Sequence, residues 1–392
     1  MARHHLYLSP GMFGFGRVAS LDYFGHVERE LARRFSDAGH ELTLHVADVL
    51  PTASIRRRAI DVARLVTATC GTSSEAIHLL GHSTGGLDVR LVASPGTVLP
   101  NASDLVPWLP RVRSVTMMNA PHYGTPLATF FATTRGQQAL YLLSAFTFVS
   151  LSLGARPLAL VRLLLGLFSR GERGFGMKIP LVDPWLSSVL STLDDARSPE
   201  VRSYLAAIER DQGAVVQLTP EGMDLVLAGF VDRPGVRYQS TVSMSPPPGA
   251  RNWLNVVRHP TTAASLTLFT ALHGITARYD PRYPCSAMSQ TAGQPALAED
   301  AKAVLTTAFG AVPSLEDCDG VVPVLSQLWG QLVWAGYGDH LDVLGHYRDS
   351  APEPSESGNP KLAHHDWMTS GSAFGDAQFA ALMDTIARGM LQ

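Results

Sequence analysis

The residues best suited to chemistry in this 392-residue chain are Gly81-His82-Ser83-Thr84-Gly85-Gly86. A serine hydroxyl is a weak nucleophile until a base takes its proton. Glycines on both sides are what it needs on a turn too tight for neighbouring side chains. Ala76-Ile77-His78-Leu79-Leu80 before it reads as a buried strand, and Leu87-Asp88-Val89-Arg90-Leu91 after it suits a helix. A helix starting there aims its N-terminus at the serine and favours developing negative charge. The pattern points to nucleophilic catalysis by Ser83; a plain glycine-rich turn between strand and helix is the bland alternative.

Such a serine needs a base and an acid from later loops. Glu316-Asp317-Cys318-Asp319-Gly320-Val321-Val322-Pro323 places acids just before a short apolar strand, with Asp319-Gly320 as the turn. Glu316 and Asp317 compete with Asp319. Gly336-Tyr337-Gly338-Asp339-His340-Leu341-Asp342 puts a histidine on a glycine-rich loop, and His346, His364 and His365 are the alternatives after it among 14 histidines.

These residues must be carried by alternating strands and helices. His4–Leu8, Glu41–Val46, Ala76–Leu80 and Val112–Met118 read as strands. Tyr23–Ala38 and Ser54–Cys70 read as amphipathic helices, stopped by Gly39 and Gly71 and, for the second, opened by Ser54 as N-cap. Strands separated by helices imply βαβ units and a mostly parallel sheet flanked by helices. From about Phe130 to Val231 no strand is legible; helical stretches such as Pro199–Arg210 and Thr219–Phe230 and a loop near Arg170–Gly176 suggest a helical insertion. The α/β pattern resumes at Val236–Met244, followed by helical Thr261–Gly274, a polar loop at Ser350–Pro360 and a terminal helix at Phe374–Met390.

Composition narrows the function. Lys+Arg 31 against Asp+Glu 34 leaves no basic field for nucleic acid. Apolar residues make up 46% and charged residues only 17%, an apolar excess with no sign of disorder. Cys70, Cys285 and Cys318 lack zinc-site spacing, and a Cys285–Cys318 bridge is the one pairing open in an oxidising compartment. No apolar leader with a cleavage site precedes the first strand, so a cytoplasmic location is the expectation, with export by another route as the alternative. Gly136–Ala155 carries no charge and has the length of a membrane span. A crossing there would separate Ser83 from Asp319 and His340, so no transmembrane span is expected. The run, with Leu140 and Phe146 among its large residues, is instead buried or laid against a lipid interface, as is apolar Leu158–Phe168.

Five segments together resemble bacterial triacylglycerol lipases and esterases. His5–Gly14 (HLYLSPGMFG) is similar to their first-strand motif and Gly81–Gly86 (GHSTGG) to their serine elbow. Met118–Thr125 (MNAPHYGT), Asp319–Pro323 (DGVVP) and Asp339–Asp342 (DHLD) resemble their later segments in the same order. The resemblance runs from residue 5 to 342 and says little about 130–235. It implies the α/β-hydrolase fold with a cap or lid, Ser83 as nucleophile, Asp319 as orienting acid and His340 as base. It also implies an oxyanion hole from the backbone N–H groups of Met12 and Thr84, with Phe13, His82, Leu140 and Phe146 toward the substrate. Where the family has histidine before the glycine, this chain has Pro10, which cannot donate an N–H. No cofactor is implied for the chemistry. A structural calcium is implied near the histidine loop, with Asp342 at one ligand position and Asp300 as the other carboxylate considered.

The expected organisation is a catalytic domain of 1–129 and 236–392 with a cap of 130–235. The expected function is a serine ester hydrolase of lipase type acting on an acylglycerol-like ester. An acyltransferase or thioesterase with the same triad is the second reading, and a catalytically silent lipid-binding protein the third.

Overall fold

Alternating strands and helices assemble into a single parallel sheet. The computed structural model describes residues 2–12, 17–18, 21–71, 74–95, 107–153, 206–249, 263–278, 297–348, 366 and 368–392. Strands β1 (Arg3–Ser9), β4 (Glu41–Val46), β5 (Ala76–His82), β6 (Val112–Met118), β7 (Arg237–Met244) and β8 (Gln331–Tyr337) stand in the order β4-β1-β5-β6-β7-β8. Every neighbouring pair is parallel. A small antiparallel pair, β2 (Arg17–Val18) and β3 (Leu21–Asp22), stands apart. With the helices on its faces, this is the α/β-hydrolase architecture expected from the sequence.

Both faces are covered, as a parallel sheet requires. Leu6, Leu8 and Leu80 pack with Phe24, Val27 and Leu31 of α1 (Gly25–Asp37) and with Leu382 and Ile386 of α10 (Asp376–Leu391). Tyr7, Ile77 and Leu79 point to the other face, against Val62 and Val66 of α2 (Ile55–Thr69) and Leu87 of α3 (Thr84–Ala93). Ser54 caps α2 as expected, its hydroxyl accepting from Arg57 N–H at 3.4 Å.

Between β6 and β7 the described residues contain no strand; they form α4 (Pro126–Phe131), α5 (Thr134–Leu153), α6 (Gly213–Gln217) and α7 (Pro220–Leu227), and 206–210 are helical too. The described part of the uncharged run, 136–153, lies in α5, whose first half buries Ala139, Leu140, Leu142 and Leu143. Among the described residues no helix is long and apolar enough to cross a membrane. The runs at 158–168, 170–176 and 350–360 lie outside the described residues.

Downstream, α8 (Ala263–Thr276) matches expectation, whereas β8 and α9 (Glu299–Phe309) were not legible. The apolar strand expected at Val321–Pro323 does not form. Those residues turn, with one isolated bridge between Cys318 and Pro323, because the Val321 and Val322 amides serve Asp319 instead. Cys70 and Cys318 are buried free thiols, and Cys285 lies outside the described residues.

Near the start of the strands, His4 Nδ1 lies 3.0 Å from His78 Nε2, His4 Nε2 lies 3.0 Å from His40 Nδ1, and His78 Nδ1 lies 2.8 Å from Ser114 Oγ. Burial, then the charges of His4, Arg237 and Arg113, push the His78 imidazole down to about 3. The unfolded chain accepts a proton here below about pH 6.5, and the folded chain resists it. This position's stability is therefore complete above about pH 6.5 and is lost as pH falls toward about 3, by up to about 1.4 kcal/mol per pH unit. His78→Gln should flatten the fall of Tm between about pH 6 and pH 4. Parallel wild-type and variant curves would refute that assignment.

Candidate active site

The candidate residues gather where the strands end. β5 runs into Ser83, which turns with φ 56° and ψ −129° before α3 begins. A positive φ costs a non-glycine residue on the order of 1–3 kcal/mol and persists only where the surroundings impose it. Here Ser83 N–H is held by Met118 carbonyl at 2.8 Å. A Cβ on Gly81 would lie 2.0 Å from the Gly85 carbonyl oxygen, and one on Gly85 would lie 2.0 Å from that of Ser9. Both flanking glycines are thus required by backbone contact, the second because α3 presses against the end of β1.

His340 follows β8. Its Nδ1 lies 2.7 Å from Asp319 Oδ2, and its backbone N–H donates to the Asp319 carbonyl at 3.0 Å. Asp319 is fully buried. Its Oδ1 accepts from Val321 and Val322 N–H at 2.9 and 2.8 Å, and its Oδ2 also accepts from Asn119 Nδ2 at 3.1 Å. An ionised carboxylate only accepts, so His340 carries its proton on Nδ1 and keeps a lone pair on Nε2.

Ser83 and His340 share the wall of an open cavity with Gly11, Met12, Tyr23, Thr84, Pro121, Thr125, Leu127, Ala128, Phe131, Leu218, Val321, Val322 and Leu341. Among the described residues no hydrogen bond joins Ser83 Oγ to His340, and the backbone N–H groups of Met12 and Thr84 have no protein acceptor.

Of the four expected substrate contacts, two lie away from this cavity. His82 is fully buried and does not line this cavity. Its Nε2–H donates to the His340 carbonyl at 2.8 Å, so its Nδ1 accepts from Tyr23 Oη at 2.7 Å, and that oxygen accepts from Gly11 N–H at 3.2 Å. Burial above all, then His340, holds the His82 imidazole well below its ordinary range, consistent with this neutral form. His82 therefore ties the histidine loop to the loop after β1. Leu140 is fully buried in the core, outside the cavity wall. Phe13 and the Phe146 side chain lie outside the described residues. Tyr23, Asn119 and Leu218 were not legible as site residues.

The calcium reading fares similarly. Asp342 Oδ2 accepts from Asp339 N–H at 2.8 Å and from Ser372 Oγ at 2.7 Å, while Asp339 Oδ1 accepts from Leu341 and Asp342 N–H at 2.9 and 3.1 Å. Burial raises both carboxyls, that of Asp342 to about 7. Asp300 Oδ1 accepts from Ala301 N–H at the start of α9. A calcium ion needs six to eight oxygens. Among the described residues no group of three or more His, Cys, Asp or Glu is arranged to hold a metal. The donors facing Asp342 suit a carboxylate that fastens its own loop.

No family model matches the chain. A triacylglycerol lipase of Vibrio cholerae serotype O1 is 32% identical over 127 residues, which are 32% of this chain and 35% of that protein. The chain thus spans about a third of the length of that curated relative. Among solved structures, lipase 1 from Pelosinus fermentans superposes with a TM-score of 0.51 at 16% identity, covering 99% of each chain. EstA from Clostridium botulinum superposes with a TM-score of 0.50 at 18% identity, covering 97% of this chain and 87% of its own.

Proposed function

We propose that this chain, whose α/β-hydrolase fold matches solved bacterial lipases and esterases, is a serine carboxylic ester hydrolase of lipase type. The observation that carries this reading is the placement of Ser83, on its strained turn, in the same cavity as His340, whose Nδ1 is held by Asp319 at 2.7 Å. Ser83 Oγ attacks the ester carbonyl while His340 Nε2 takes its proton. The Met12 and Thr84 N–H groups receive the tetrahedral oxyanion. Collapse breaks the C–O bond, and the alcohol leaves with the proton from His340. Water then attacks the acyl-enzyme, again with His340 as base, and the carboxylic acid is released.

The substrate class is an acyl ester with an apolar chain, acylglycerol-like, because Leu127, Ala128, Phe131 and Leu218 face the cavity with carbon. The insertion of 130–235, helical at 134–153, 206–210, 213–217 and 220–227 where it is described, caps the catalytic domain of 1–129 and 236–392. Phe131 and Leu218 support this, both lying in that stretch and both reaching the site. The cap meets the lipid interface.

A series of 4-nitrophenyl esters from acetate to palmitate tests the reading. Turnover should extend beyond butyrate and rise once an ester exceeds its solubility limit. Turnover confined to acetate and butyrate would reduce the protein to a small-ester esterase. No turnover of any ester, with no fluorophosphonate adduct on Ser83, would sink the proposal.

A further inference from the structure

We propose that the buried ion pair Arg58–Asp88 is a positioning device for the loop that carries the Met12 N–H; this rests on the reading of Ser83 as nucleophile. Arg58 of α2 and Asp88 of α3 are both fully buried. Arg58 Nη2 donates to Asp88 Oδ2 at 2.8 Å, and Nε lies 3.1 and 3.0 Å from the two carboxylate oxygens. Its remaining hydrogens go to backbone carbonyls: Nη2 to Pro10, and Nη1 to Pro51 at 3.0 Å and Leu50 at 3.3 Å. Asp88 in turn accepts from Ser9 Oγ at 2.8 Å.

The two residues before Gly11-Met12 are therefore each tied to a charged group. Pro10 has no N–H, so its carbonyl is the polar handle its backbone offers, and Arg58 takes it. The other side of the same peptide unit, Gly11 N–H, donates to Tyr23 Oη at 3.2 Å. A planar peptide gripped at both its C=O and its N–H cannot rotate, and its orientation sets where the next N–H, that of Met12, points. A buried ion pair is often replaceable by apolar residues without loss of stability. A planar five-donor fork that joins a carboxylate to three carbonyls, by contrast, has no apolar substitute.

The test is a variant that keeps the packing and removes the grip: Ser9→Ala, Arg58→Met and Asp88→Leu together. On 4-nitrophenyl butyrate its kcat should fall by roughly 10- to 100-fold with KM unchanged, a partial loss of one oxyanion donor. Its affinity for butaneboronic acid, whose tetrahedral serine adduct places an oxygen on the same donors, should fall by the same factor. Fluorophosphonate should still label Ser83. A triple variant that melts with wild type and keeps wild-type kcat and boronate affinity overturns the proposal, as does a change confined to KM. Should the triple variant not fold, Arg58→Lys carries the test. It keeps the charge beside Asp88 but loses the fork, and the same kcat loss is expected; wild-type kcat there overturns the proposal. Wild type that neither turns over the ester nor binds the boronate would instead mark the failure of the Ser83 reading.

Discussion

Ser83→Ala is expected to abolish ester turnover, with kcat lower by about 10⁶, while the melting temperature stays near that of wild type. The loss is this large because the variant removes the atom that forms the acyl-enzyme, and among the described residues no second serine hydroxyl lines the cavity with His340. The backbone strain remains, since alanine at φ 56° is as disfavoured as serine. Ser83→Gly provides the complementary reading. It should be equally inactive yet melt higher than wild type, by the equivalent of roughly 1–2 kcal/mol, because glycine relieves the positive φ. Turnover of Ser83→Ala within about tenfold of wild type would remove Ser83 from the mechanism. A Ser83→Gly protein no more stable than Ser83→Ala would show that the turn stores no strain.

Asp319→Asn is the second large effect, with an expected loss in kcat of about 10⁴ and little change in KM. The geometry dictates the direction. Val321 and Val322 N–H groups aim at Oδ1, so the asparagine carbonyl must stay on that side. Its NH₂ then faces His340 Nδ1 in place of Oδ2. The imidazole must accept there and carry its proton on Nε2, so it can no longer take one from Ser83. The same NH₂ meets the NH₂ of Asn119, which now donates to Asp319 Oδ2, so a moderate drop in Tm accompanies the kinetic loss. The double variant Ser83→Ala/Asp319→Asn should be no slower than Ser83→Ala, since the two act as one unit. Asp319→Asn activity near wild type would return the acid's role to Glu316 or Asp317.

Most of the sheet was legible because its signals are local. Val112–Met118 and Glu41–Val46 fall at their observed bounds, and the expected strands at 4–8, 76–80 and 236–244 within about two residues. Alternation and glycine stops need only neighbours in sequence to be read. β8 escaped because Gln331–Tyr337 is an edge strand of mixed burial. Val321-Val322 was read as a strand because two apolar residues look alike whether they pair with a neighbouring strand or lend amides to a carboxylate. Apolar character also says nothing of direction. Leu140 and Leu127 are both large, aliphatic and packed in the core, yet only Leu127 also reaches the cavity.

The residue types of the candidate site and their order along the chain were already written in the residues: a serine between glycines, an acid on a turn, a histidine on a glycine-rich loop. Short tight turns dictate those residue types through local sterics, so linear order suffices to find them. Tertiary structure alone decided which partners hold them. Tyr23 meets His82 across 59 residues, Asn119 meets Asp319 across 200, and His82 meets the His340 carbonyl across 258. Each of these is a single hydrogen bond, made when the parallel sheet brings strand ends together. A bond of that kind leaves no periodicity, spacing or composition behind, so it is seen only after the chain has closed.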